Sequence, residues 1–146
     1  MGFDLQRDTV EWLIRLAGAG QLALALGSLA VPRALGWSGQ LAGNRPLLRS
    51  VFWTYAAYIF GAHLFFAALS IFGAPLLADG SMLAAIVCAF IALWWAARLV
   101  IQFAFFDRND APFGPLFRLG EIALVFAFVA FAFGYLAAAI FNLTVK

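Results

Sequence analysis

Few residues in this chain are capable of chemistry, and most of them fall in one stretch. Ser81 to Phe106 reads as an apolar run, yet it carries Trp94, Trp95, Arg98 and Gln102, and the next apolar run opens with Arg118 and Glu121. Arg98 is a charge well inside a hydrophobic segment, a placement that is costly and by default marks function. If the two runs are antiparallel helices, Arg98 lies about eight residues, roughly 12 Å, before the end of its helix. Glu121 lies about six residues, roughly 9 Å, into the next one. This count predicts an Arg98–Glu121 ion pair at similar depth, with Gln102 one turn from Arg98. Trp94 and Trp95, four and three residues before Arg98, offer indole faces to the guanidinium. Such a cluster is either a polar pocket for a substrate or ion, or a lock. In the second case the arginine ties two helices together or reaches the headgroups. Glu121 can equally pair with Arg118 at i,i+3.

His63, the single histidine of the chain, forms a second candidate group with Ser70, Tyr55 and Gln21. Ser70 lies seven residues after it along the same face, and Tyr55 eight before. One imidazole can ligate a haem iron or a chlorin magnesium, or relay a proton. It cannot build a bis-histidine haem or a three-histidine metal site. The plainer reading is a neutral ring hydrogen-bonded to Ser70 or Gln21. Cys88, the lone cysteine, excludes an intrachain disulfide and reads as a small apolar residue. Asp107 and Asp110, in the turn DRNDAPFGP, are too few for a metal site, and turn chemistry accounts for them. No nucleophilic triad, phosphate loop or zinc motif is present. The sequence therefore specifies no cofactor, metal or catalytic residue.

The elements that must position these groups are membrane helices. The 146 residues are 66% hydrophobic and 11% charged, with a mean hydropathy of +0.98. A soluble domain carries about 25% charged residues, so the lipid bilayer is the expected surrounding. The net charge of +2 is too small and too scattered for nucleic acid. The spacing predicts an all-α integral membrane protein, one domain over 1–146. Its four antiparallel transmembrane helices are expected at about 12–31, 46–72, 81–106 and 115–141. The leader, Gly2 to Glu11, is mixed in charge rather than basic and reads as a short polar start, not a signal peptide. Asp8 and Glu11 have the spacing of an N-terminal cap. Pro32 is expected to stop the first helix, Asn44 to cap the second, and Ser81 the third. Two small-residue strips on the first helix, Ala19/Ala23/Gly27 and Gly18/Gln21/Ala25/Ser28, are expected to pack against neighbours. Trp12, Trp37 and Trp53 fit an aromatic belt. The Phe-rich runs at 103–106 and 126–133 face lipid, fill the bundle or line an apolar pocket.

Six basic residues (Arg33, Arg45, Arg49, Arg98, Arg108, Arg118) fall on one face and three (Arg7, Arg15, Lys146) on the other. This bias puts the first and third loops in the cytoplasm and the termini outside, in a bacterial inner membrane. The size and helix count are shared by small multidrug exporters, but those carry a carboxylate in mid-first helix, where this chain has Gln21. The polar pattern of the fluoride channels is missing. The chain resembles DoxX-like proteins in hydropathy and an Arg15-then-glycines opening, a likeness that implies no particular activity. Two functions remain expected. One is a non-catalytic module: an accessory subunit, or a binder of a lipid, quinone or pigment. The alternative is a small transporter or channel using Arg98, Gln102 and Glu121, which would need a homo-oligomer or a larger membrane complex. A membrane enzyme ranks third, because nothing specifies a reaction.

Overall fold

A computed structural model describes residues 2–105 and 114–145, and all of its regular structure is helical. In chain order the elements are α1 (Gly2–Ser28), α2 (Val31–Ala34), α3 (Trp37–Ala42), α4 (Pro46–Phe72), α5 (Ala74–Leu77), α6 (Met82–Ala104) and α7 (Pro115–Thr144). Four stretches, built on α1, α4, α6 and α7, are long and apolar enough to cross a membrane. The protein is an all-α bundle of membrane-type helices. The corner at 106–113, with Asp107, Arg108, Asp110 and Pro112, lies outside the described residues, as does Lys146.

Several boundaries differ from the sequence expectation, each for a local reason. Helix α1 already runs through the polar leader, so Asp8 and Glu11 are interior rather than capping. Glu11 is instead held between Arg7 (3.1 Å) and Arg15 (3.8 Å), one turn to either side. Pro32 does not end the first span. The chain turns at Leu29–Ala30, and Pro32 then sits in the first turn of α2, where its missing N–H costs nothing. Asn44 donates back to the Gln40 carbonyl (3.2 Å) and leaves Arg45 at the N-cap of α4 without a side-chain bond. Ser81 caps α6 as expected, accepting from the Ala84 N–H at 3.0 Å. Trp37 of α3 packs on Phe52 and Trp53 (ring centroids 5.1 and 6.2 Å), which pins the first loop to the start of α4.

Helix α1 lies against both α4 and α7, and α7 lies along α6. The close α1–α4 approach depends on Gly18: a Cβ there would stand 2.8 Å from the Ser70 Cβ and 3.1 Å from the Ala67 carbonyl oxygen. Of the two small-residue strips on α1, the one with Gln21 turns inward. Gln21 and Ala25 are fully buried, while Ala19, Ala23 and Gly27 face outward. An amide turned to hydrocarbon would go unpaired, and that decides which strip packs. Although α4 and α6 are consecutive long helices, their backbones stay apart. Aromatic rings, His63 and Phe66 against Trp94 and Trp95, bridge that seam.

The end of the bundle where α4 turns into α6 is tied by Asn142 of α7. Its Nδ2 donates to the carbonyls of Leu77 (2.7 Å) and Ala138 (2.9 Å), and its Oδ1 accepts from the Gly80 N–H (2.8 Å). Gly80 takes φ 78°, a left-handed turn that favours glycine. Asp79 accepts from the Ser81 N–H at 2.8 Å, and its bonds to Ser81 hold its carboxyl below the usual range. That lowered value favours the fold above the ordinary carboxylate pKa, and the benefit is lost as pH falls through the lowered one. Arg7 reaches the same turn, donating to the Pro75 carbonyl at 3.5 Å.

Two substitutions test this account. Asn142→Ala strands the Gly80 N–H and should destabilise the bundle by about 1–3 kcal/mol in reversible denaturant unfolding in micelles. Gly18→Val should cost about 1–3 kcal/mol by overpacking against Ser70, whereas Gly27→Ala, on the open side of the same helix, should be neutral or stabilising.

Candidate functional site

The polar residues singled out above regroup into two layers of the bundle. The first lies at the α4–α6 seam. His63 is buried on the inner face of α4, and its ring stacks on Trp95 (centroids 5.0 Å, interplanar angle 22°). It meets Trp94 edge-on at 6.2 Å, and the Trp94 Nε1–H donates to His63 Nε2 at 3.4 Å. Because Nε2 accepts, the ring is neutral with its proton on Nδ1. Trp95 also stacks on Phe128 of α7 (5.4 Å, 21°) and tilts against Phe131 (5.0 Å). One turn along α6, the Arg98 guanidinium lies over the Phe128 ring, 5.2 Å from its centroid. Its Nη1 donates to Gln102 Oε1 at 3.3 Å. Arg98 and Gln102 are hydrogen-bonded one turn apart, the ring under the guanidinium is Phe128 rather than an indole, and His63 stands with Trp94 and Trp95.

Glu121 is placed differently from the count that put it level with Arg98. The α7 residue under Arg98 is Phe128, and Glu121 precedes it by seven residues, about 10 Å along the helix axis toward the start of α7. Counting inward from the 105–114 corner assumed that both helices end at one height. The register is instead fixed at the opposite end, where Asn142 ties α7 to the turn before α6. Glu121, in the second turn of α7, is half-buried. The ring beneath the guanidinium is a phenylalanine of the facing helix, an across-helix contact that i,i+3 and i,i+4 spacing cannot reveal.

Gln21 and Ser70 form the second layer, with a partner that the sequence reading missed. Gln21 Nε2 donates to the Tyr135 hydroxyl at 2.9 Å, the Tyr135 and Ser70 hydroxyls are hydrogen-bonded, and Ser70 Oγ donates to the Phe66 carbonyl at 2.7 Å. Three helices are stitched by this chain. The signal for Tyr135 was its i+7 and i+4 spacing from Phe128 and Phe131, which puts its phenol on the inner face. A buried phenol needs a partner. Neither Gln21 nor Ser70 bonds His63. Tyr55 is 67% exposed and does not join either layer.

Two polar atoms are buried without a hydrogen-bond partner among the described residues, Gln21 Oε1 and Trp95 Nε1. No group of three or more metal-ligating side chains gathers among the described residues. A groove of about 650 Å³ runs along α4, bordered by Ala57, Tyr58, Gly61, Ala62, Phe65 and Phe66. Phe66 separates it from Trp94 (ring centroids 5.4 Å). The seam brings the imidazole of His63, the indoles of Trp94 and Trp95 and the Phe66 ring together between α4 and α6.

A double-mutant cycle tests the second layer. Tyr135→Phe alone should cost about 1–3 kcal/mol by stranding the Gln21 amide, while Gln21→Leu combined with Tyr135→Phe should recover most of that loss. Additive losses would show that the two side chains are not coupled. No protein-family model, curated protein or solved structure matches the chain.

Proposed function

We propose that this protein is a non-catalytic membrane module that holds a membrane-dissolved amphipathic molecule, a lipid or a quinone, at the α4–α6 seam. The observation that carries this reading is the assembly of His63, Trp94, Trp95, Arg98 and Gln102 where two helices meet through rings rather than backbones. Polar groups at membrane depth are costly unless they are used, and ligand sites typically combine aromatic walls with a few polar groups. A pigment fits less well. The imidazole lone pair that an iron or magnesium would need is the one that accepts the Trp94 N–H.

The second reading, an oligomeric transporter or channel, is favoured by the α4 groove, where Gly61 and Ala57 leave room for a neighbouring helix. In either case we propose a bacterial inner membrane as the location, and the arginine bias favours the α1–α4 and α6–α7 connections in the cytoplasm.

The binding reading is tested by extracting what co-purifies with the protein and identifying it by mass spectrometry. Wild type should carry a quinone or a defined lipid near one per chain. His63→Leu and Trp94→Leu should each reduce that occupancy at least tenfold while keeping helical content. Wild type that retains nothing, and instead moves an ion when reconstituted in liposomes, would favour the transporter.

A further inference from the structure

We infer that the polar end of the molecule bound at the α4–α6 seam only accepts hydrogen bonds, and consists of carbonyl or carboxylate oxygens carried on an apolar body. This rests on the binding reading above and narrows its chemistry. The buried polar atom of this cluster that lacks a partner among the described residues is a donor. The Trp95 side chain is 0% exposed, and its indole N–H, a group that can only donate, has no partner among the described residues. His63 spends its acceptor nitrogen on Trp94, which leaves Nδ1–H as its remaining polar group. Gln102 uses one lone pair of Oε1 on Arg98 and keeps its NH₂ as a donor, and the guanidinium that donates to it carries no acceptor. These residues stand at 94, 95, 98 and 102 along one helix, with His63 facing them from α4.

A buried water does not serve Trp95 in the ligand's place. A water there would bring two protons that need acceptors of their own, and the groups packed on that indole are the rings of His63, Phe128 and Phe131. A cationic head fails for the complementary reason: it would add donors and positive charge beside Arg98. The buried acceptor without a partner, Gln21 Oε1, belongs to the Tyr135 layer. Access to the indole requires rings to move, and the α4–α6 seam is closed by rings.

The test uses purified full-length protein stripped of lipid and three probes: dodecanoate, dodecylamine and a short-chain benzoquinone. Equilibrium dialysis gives the affinity, and thermal melting of the helical signal gives the stabilisation by each probe. Dodecanoate or the quinone should bind at least tenfold more tightly than dodecylamine, and the better of the two identifies the head as carboxylate or carbonyl. Trp95→Phe keeps an aromatic ring but removes the N–H. It should weaken the acceptor probe at least fivefold. Gln102→Glu, at a half-buried position, replaces donors with a carboxylate and should weaken dodecanoate at least tenfold, a readout that does not depend on Trp95. Dodecylamine binding as tightly as the acceptors, or full acceptor affinity in both variants, would overturn this inference while leaving a binding module standing. If none of the probes binds and nothing co-purifies, the binding reading fails and this inference with it.

Discussion

A membrane interior contains no water to satisfy a polar group, and most of this structure follows from that constraint. Helices answer it for the backbone, since every span satisfies its own N–H and C=O groups. The polar side chains must find partners inside the bundle, and their need decides which faces turn inward. Gln21 brings one strip of α1 to the interior and leaves the other outside. Tyr135 accepts its amide N–H and bonds Ser70 in turn, which closes a hydrogen-bonded chain across α1, α7 and α4. Asn142 does the same for the turn at 77–80 and thereby sets the height of α7 beside α6. Packing by small residues, with Gly18 against Ser70, then brings the helices close enough for those bonds.

The α4–α6 seam is the exception to this internal pairing. Its bulky rings hold two backbones apart, and its polar atoms are mostly donors. The indole of Trp95 is caged by three other rings, two of them stacked almost parallel to it. Stacking satisfies the faces of an aromatic ring and does nothing for an N–H in its plane. The same cage that anchors Trp95 therefore creates the mismatch in hydrogen bonding at its edge.

How much of this was legible beforehand depends on whether a property was local to one helix. Hydropathy located all four spans, and Pro46, Ser81 and Pro115 marked helix starts correctly. Along α6, four-residue spacing placed Trp94, Arg98 and Gln102 together without knowledge of the neighbours. Across helices the reading faltered. Sequence spacing says nothing about relative height, so it does not identify Phe128 of α7 as the ring under the Arg98 guanidinium. Tyr135 lies in a Phe-rich helix and Asn142 near the end of α7, and no local spacing marks the partner of either one. Both act through partners more than sixty residues away, and only the three-dimensional register reveals such partners.

The bundle is also unequal around its circumference. Along α4, α1, α7 and α6, successive helices are joined by backbones in close approach, and a glycine at one such contact leaves no slack. Interiors packed in this way deform little under load. The remaining wall consists of side chains that can change rotamer without breaking a backbone hydrogen bond. Mechanically the molecule is a split cylinder, stiff over most of its girth and compliant along one line. Lateral pressure, bilayer thinning or an intruding molecule will be absorbed along that line first, and the rings of His63, Phe66, Trp94 and Trp95 are the parts that will move.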